Sequence, residues 1–219
     1  MTVLPTHVGV LGGGRMGAGI AHAFLLAGSR VTIVERDRQA ADAAATRVRV
    51  DVERSIAHDR GRGSNGAQAA DAVAALAVAT DASAFADCPL VVEAVPEDRA
   101  LKTASLERAE SAMPPDGILA SNTSSISIDD LARGLRRPRR FLGLHFFNPV
   151  PASLLVEIVA GAETDTDVVA RAREWVTALG RTPVVVRDAP GFASSRLGVL
   201  LGLEAIRDRK STRLNSSHG

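Results

Sequence analysis

The sequence predicts a doubly wound α/β fold, a parallel sheet with helices packed on both faces. Three observations carry this. Short β-rich runs alternate with longer helix-like stretches. Most of the β-rich runs are continuously apolar rather than alternating, as expected where helices cover both faces of a sheet. The first run leads directly into a glycine triplet that opens an amphipathic helix.

In chain order, strands are expected at His7–Leu11, Arg30–Glu35, Leu90–Ala94, Gly117–Ser121, Phe141–His145, Leu154–Val159 and Pro183–Arg187. Helices are expected at 15–28, 38–58, 100–113 and 166–179. The last is the clearest. Val168, Val169, Ala172, Trp175, Val176 and Leu179 form one stripe, Thr164 or Asp165 can cap its start, and Gly180 closes it. Residues 59–68 are polar and glycine-rich and read as a loop between helices. Asp188-Ala189-Pro190-Gly191 reads as a boundary, with proline in the first turn of a new, mostly apolar helix over Phe192–Ile206. The expected organisation is a first domain over 1–187 and the start of a second over 188–207. The polar, aperiodic stretch 208–219 reads as an artefactual tail, like translated adapter sequence.

With 219 residues and 46% hydrophobic content, the chain can bury a real core. Its 26 basic and 25 acidic residues leave a net charge of +1, so no overall basic field points to nucleic acid or an anionic membrane surface. The one dense basic run, Arg133–Arg140, reads as a solvated loop before a strand. A single cysteine, Cys88, excludes an internal disulfide and suits a reducing compartment; beside Pro89 it reads as a small buried filler. No signal-peptide pattern or membrane-length apolar run is seen, so a soluble cytoplasmic protein is expected. The histidines are scattered without ligand spacing, and no metal is expected.

Gly12-Gly13-Gly14-Arg15-Met16-Gly17 fits G-x-G-x-x-G between a strand and a helix, the context that marks a Rossmann-type dinucleotide site. Gly12 is expected to permit the tight turn, Gly14 to let the backbone approach a pyrophosphate, and Gly17 to allow close helix–strand packing. Glu35 ends the next strand eighteen residues after Gly17. A carboxylate there accepts from ribose hydroxyls and repels a 2′-phosphate, so NAD is expected over NADP, with adjacent Arg36 able to blunt the preference.

His145 ends a strand and precedes two aromatics, an amide and a proline turn, and Glu157 is a lone carboxylate in an apolar strand. A buried charge needs a partner, and a His–Glu pair makes an oriented general base. From these two residues alone, a satisfied core pair is the more economical reading.

The stretches SNTSSISI (121–128), GLHFFNPVP (143–151), LVEIV (155–159) and Pro190-Gly191-Phe192 resemble the 3-hydroxyacyl-CoA dehydrogenase family, over residues 6–207. The resemblance implies NAD-dependent oxidation of a short-chain L-3-hydroxyacyl-CoA, in fatty-acid or butanoate metabolism. It makes His145 the base that takes the hydroxyl proton as hydride passes to the nicotinamide, and Glu157 the partner that orients it. Ser124 would hydrogen-bond the substrate oxygen and Asn148 would lie by the nicotinamide ribose. Glu97 and Lys102 would contact the cofactor. Residues Arg47–Arg62 would include the helix that meets the coenzyme A phosphates, with Arg54 as the candidate contact. Two departures from the family pattern stand out. Ser195 replaces the usual asparagine of GF-x-x-N-R, and a hydrogen bond missing from a buried site costs about 1–3 kcal/mol. The family's all-helical second domain, which covers the acyl chain and forms a homodimer interface, is expected to be reduced to one helix. The apolar face of that helix, Leu197 to Ile206, would then be left without partners. A relative acting on a non-CoA hydroxy acid, or an inactive dinucleotide-binding fragment, are the alternatives.

Overall fold

The computed structural model describes residues 4–59, 66–193 and 196. Its elements in order are β1 (His7–Leu11), α1 (Arg15–Leu26), β2 (Arg30–Val34), α2 (Arg38–Asp59), α3 (Gly66–Ala74), β3 (Leu76–Ala79) and β4 (Leu90–Glu93). They continue with α4 (Arg99–Ala112), β5 (Ile118–Ser121), α5 (Ile128–Ala132), β6 (Phe141–Phe146), β7 (Leu155–Ala160), α6 (Thr166–Ala178) and β8 (Thr182–Arg187). One eight-stranded sheet runs β3-β2-β1-β4-β5-β6-β7-β8.

The apolar strands bury both faces, as their composition requires. On one face, Val8, Val10, Val31, Ile33 and Val92 pack against α1, α2 and α6. On the other, Leu11, Val91, Leu119 and Phe141 pack with Phe85, Leu106 and Leu131. Gly9 lets Phe85 lie against the sheet, because a Cβ there would stand 2.6 Å from its ring. Cys88 is fully buried, and burial, with Asp87 nearby, pushes its thiol up to about 12, an inert filler.

Three expectations are corrected. The sheet is not wholly parallel: β7 runs antiparallel to β6, and β8 parallel to β7. The physical reason is length. Only residues 147–154 join β6 to β7, fewer than the dozen or so a parallel crossover needs. The expected loop at 59–68 already contains the start of α3, and β3 follows it as an unforeseen edge strand. The arginine run is more than a solvated loop before β6: Arg133, Arg136 and Arg139 are exposed, but the segment also forms a bracket. The N–H groups of Arg136 and Arg137 donate to the buried Glu110 carboxylate at 2.9 and 2.7 Å, and the Arg137 guanidinium donates to the carbonyls of Glu110 and Pro114. Among the described residues no helix is long and apolar enough to cross a membrane. Ser195 and the apolar run from Leu197 lie outside the described residues.

Candidate active site

Leu11, Glu93, Ser121 and Gly143 stand in one lateral row of the sheet, so the chain leaves β1, β4 and β5 at the same edge where β6 carries His145. A cavity of about 670 Å³ opens there, reaching from the glycine loop to Glu97, Asn122, Ser124 and His145. It lies where the strand order reverses beside β1, the usual crevice of such sheets.

The glycine loop is shaped by its missing side chains. Gly12 has φ +93° and donates its N–H to the Val34 carbonyl at 2.9 Å. A Cβ at Gly17 would stand 1.8 Å from the Gly12 oxygen, so α1 meets β1 only through glycine. At Gly14 a Cβ would meet nothing of the protein within 4 Å. That open space lies at the first turn of α1, where the capping residue Gly14 offers no side-chain hydrogen bond. N–H groups left free at a helix start suit a pyrophosphate, so these residues fit a dinucleotide. Glu35 sits beside them and accepts from the Gly13 N–H at 2.7 Å and the Arg36 N–H at 3.0 Å. Arg47 was expected near coenzyme A phosphates; its guanidinium instead donates to the Gly13 carbonyl at 2.6 Å. Nothing in the spacing of the glycine motif signals that brace.

Lys102 and Glu97 hold the loops around the cavity. Lys102 is buried, its ammonium donating to Glu93 at 2.7 Å and the Val95 carbonyl at 3.1 Å, with Glu97 at 3.4 Å. Those three acceptors match its three protons. Glu93, wholly buried, also accepts from Ser121 Oγ at 2.6 Å and the Val95 N–H at 2.7 Å. Sequence reasoning gave Glu93 no role; a carboxylate closing an apolar strand was the available signal. One oxygen of Glu97 collects the Thr123 hydroxyl at 2.6 Å, the Ser124 N–H at 3.0 Å, and the Ser125 N–H and hydroxyl at 3.1 and 2.9 Å. Burial pushes its carboxyl upward, but the Thr123 hydroxyl, the Lys102 charge and the Ser124–Ser125 donors outweigh this and hold it at about 2, below its ordinary 4.5. Ionised Glu97 therefore adds stability that is complete above about 4.5 and is lost as pH falls toward about 2. Glu97→Gln is expected to melt below the parent at neutral pH and to converge with it in acid, read by thermal scans across that window.

Across the antiparallel pair, His145 stands directly opposite Glu157. His145 Nδ1 lies 2.8 Å from Glu157 Oε2, and both residues are buried. Phe147 tilts onto the imidazole at 4.5 Å between ring centroids. Asn122, another residue without a sequence-based role, accepts the Phe146 N–H at 2.8 Å and so ties the end of β5 to the end of β6. Ser124 and Asn148 are exposed and line the same cavity; Asn148 precedes a cis Pro149. Arg54 is not brought to it: it lies on the exposed side of α2, 3.4 Å from Asp51. His7, Asp87 and Cys88 form the one group within a cation's reach among the described residues. Its donors are engaged, with His7 and Arg30 both on Asp87 at 2.9 Å, and the thiol resists ionisation.

The family described as 3-hydroxyacyl-CoA dehydrogenase, NAD binding domain, matches residues 7–189. The chain belongs to the 3-hydroxyacyl-CoA dehydrogenase family. A probable 3-hydroxybutyryl-CoA dehydrogenase of Deinococcus radiodurans is 36% identical over 201 residues, 91% of this chain and 70% of that protein. Among solved structures, FadB2 of M. tuberculosis is 37% identical with a TM-score of 0.87, covering 96% of this chain and 73% of that one. The (S)-3-hydroxybutyryl-CoA dehydrogenase PaaH1 of Ralstonia eutropha is 34% identical with a TM-score of 0.81, covering 86% and 66%. This 3-hydroxyacyl-CoA dehydrogenase family member is thus an NAD-dependent dehydrogenase with the Rossmann-type sheet expected of it. NAD is its cofactor.

Proposed function

We propose that the chain carries the NAD-dependent oxidation of a short-chain L-3-hydroxyacyl-CoA to the 3-oxoacyl-CoA. The observation that carries this reading is the His145–Glu157 pair, 2.8 Å apart at the cavity that holds the glycine loop. Glu157 occupies Nδ1 and, being an acceptor, favours the proton on that nitrogen. The other ring nitrogen is then a free acceptor for the substrate's C3 hydroxyl proton, and the charge that forms on the imidazole faces a carboxylate. NAD supplies the hydride acceptor. Gly12, Gly14, Gly17 and Glu35 hold it in this reading, with Lys102, Glu97 and Asn148 shaping the nicotinamide end. Ser124 donates to the substrate oxygen. Residues 1–187 form the dinucleotide-binding unit in this reading.

Relatives named for 3-hydroxybutyryl-CoA support this substrate class. Arg54, exposed on α2 outside the cavity, is the candidate contact for coenzyme A phosphates that extend beyond it, since Arg47 is spent on the Gly13 carbonyl. The test is NADH formation from (S)-3-hydroxybutyryl-CoA against free 3-hydroxybutyrate. The thioester is expected to be preferred at least about tenfold, and Arg54→Ala to erode that preference by roughly 1.4 kcal/mol or less. Equal rates would favour a non-CoA hydroxy acid. NAD binding with neither substrate turned over would leave a dinucleotide-binding unit alone.

A further inference from the structure

Resting on the reading of His145 and Glu157 as the working pair, we propose that Gly191–Ala193 is a positioning element for it. Phe192 closes one side of the imidazole, and the next backbone N–H fixes the far oxygen of Glu157. Gly191 and Phe192 have φ +74° and +46° in succession. Phenylalanine rarely adopts the left-handed region, and such a residue persists where its surroundings over-determine it. Here they do. The Asp188 N–H donates to the Ala160 carbonyl at 3.0 Å, and its carboxylate accepts from the Ser127 hydroxyl at 2.6 Å and the Asp129 N–H at 2.9 Å. The Phe192 N–H closes a turn onto the Ala189 carbonyl at 2.9 Å.

This turn delivers two groups to the pair. The Phe192 ring, 2% exposed, meets the His145 ring edge-on at 5.9 Å and 60°. The Ala193 N–H donates to Glu157 Oε1 at 3.1 Å, while Oε2 holds His145. With one oxygen tied to the main chain, the carboxylate plane is fixed, and with it the imidazole it orients. Phe147 and Phe192 together exclude water from the pair, which strengthens its hydrogen bond. Phe192 is a positioning residue and touches neither cofactor nor substrate in this account.

The experiment uses the full chain with Phe192→Ala, Phe192→Leu and Phe192→Gly. Long-range ¹⁵N–¹H correlation of the imidazoles reads the tautomer of His145, and titration with NAD reads the fold of the cofactor site. The parent is expected to show a single tautomer protonated on Nδ1. Phe192→Ala is expected to show mixed tautomers and a turnover lower by about tenfold to a hundredfold, with NAD affinity unchanged within about twofold. Phe192→Leu restores most of the parental pattern. Phe192→Gly, free to keep the turn, loses the ring's share alone and falls between parent and Phe192→Ala. A parental tautomer and turnover in Phe192→Ala overturns the proposal, as does an equal loss of NAD affinity, which marks a merely structural ring. The tautomer readout needs no substrate, so it stands apart from a failure of His145 as the base.

Discussion

Gly17→Ala is expected to abolish measurable NAD binding and to lower the melting temperature by roughly 6–12 °C, corresponding to about 3 kcal/mol of overpacking. The added methyl would lie 1.8 Å from the Gly12 carbonyl oxygen, 2.9 Å from its carbon and 3.2 Å from the Val10 side chain. Two of those three are backbone atoms at a turn held by the Gly12–Val34 hydrogen bond, so the helix must move instead. Moving α1 drags its first-turn N–H groups off the cavity. Gly14→Ala supplies the contrast, since its methyl meets no protein atom within 4 Å. It should melt like the parent and still bind NAD more weakly, because the methyl takes the cofactor's space. Calorimetric melting and NAD titration of the two variants decide this, and a parental profile for Gly17→Ala would sink it.

His145→Ala is expected to reduce turnover of (S)-3-hydroxybutyryl-CoA by about 10²–10⁴-fold, the usual contribution of a positioned base. NAD affinity should hold, because the phosphate end of the cavity is built from β1 and α1. Glu157→Gln tests the partner. It keeps the shape of the side chain but removes the charge that stabilises a protonated imidazole, so a smaller loss of about 10–100-fold is expected. Steady-state rates with NAD titrations alongside separate chemistry from binding. Retention of more than about a tenth of parental turnover in His145→Ala would transfer the base role elsewhere in the cavity.

The fold was legible wherever local pattern and final environment agree. Continuous apolar runs became two-sided strands, and the glycine triplet between strand and helix became the turn its spacing demands. The Leu76–Ala79 strand escaped notice because an edge strand of four small or half-exposed residues carries neither a run nor an alternation. The direction of β7 was hidden too: an apolar strand reads the same both ways, and only the length of the connection betrays it. In the site, His145 and Glu157 were found through flanking strings rather than through their own pattern. Arg47 and Glu93 were missed as supports because their partners lie across the fold. Arg47 reaches a carbonyl 34 positions away, and Glu93 meets a hydroxyl 28 away. Lys102 was expected to contact the cofactor, with nothing to signal its burial, which depends on Glu93 lying nine positions earlier across a loop. No window of neighbouring residues contains those relations.

The antiparallel register that sets His145 against Glu157 has a consequence for how this family can diverge. The pair is aligned by main-chain pairing between β6 and β7, so its spacing does not depend on the residues that join them. Within the connecting segment 147–154, Phe147 lies on the imidazole and Val150 is buried against α1, so change is left to exposed positions such as Leu154. A change confined to such positions leaves the alignment of His145 with Glu157 untouched, because the strands and not the connection set it.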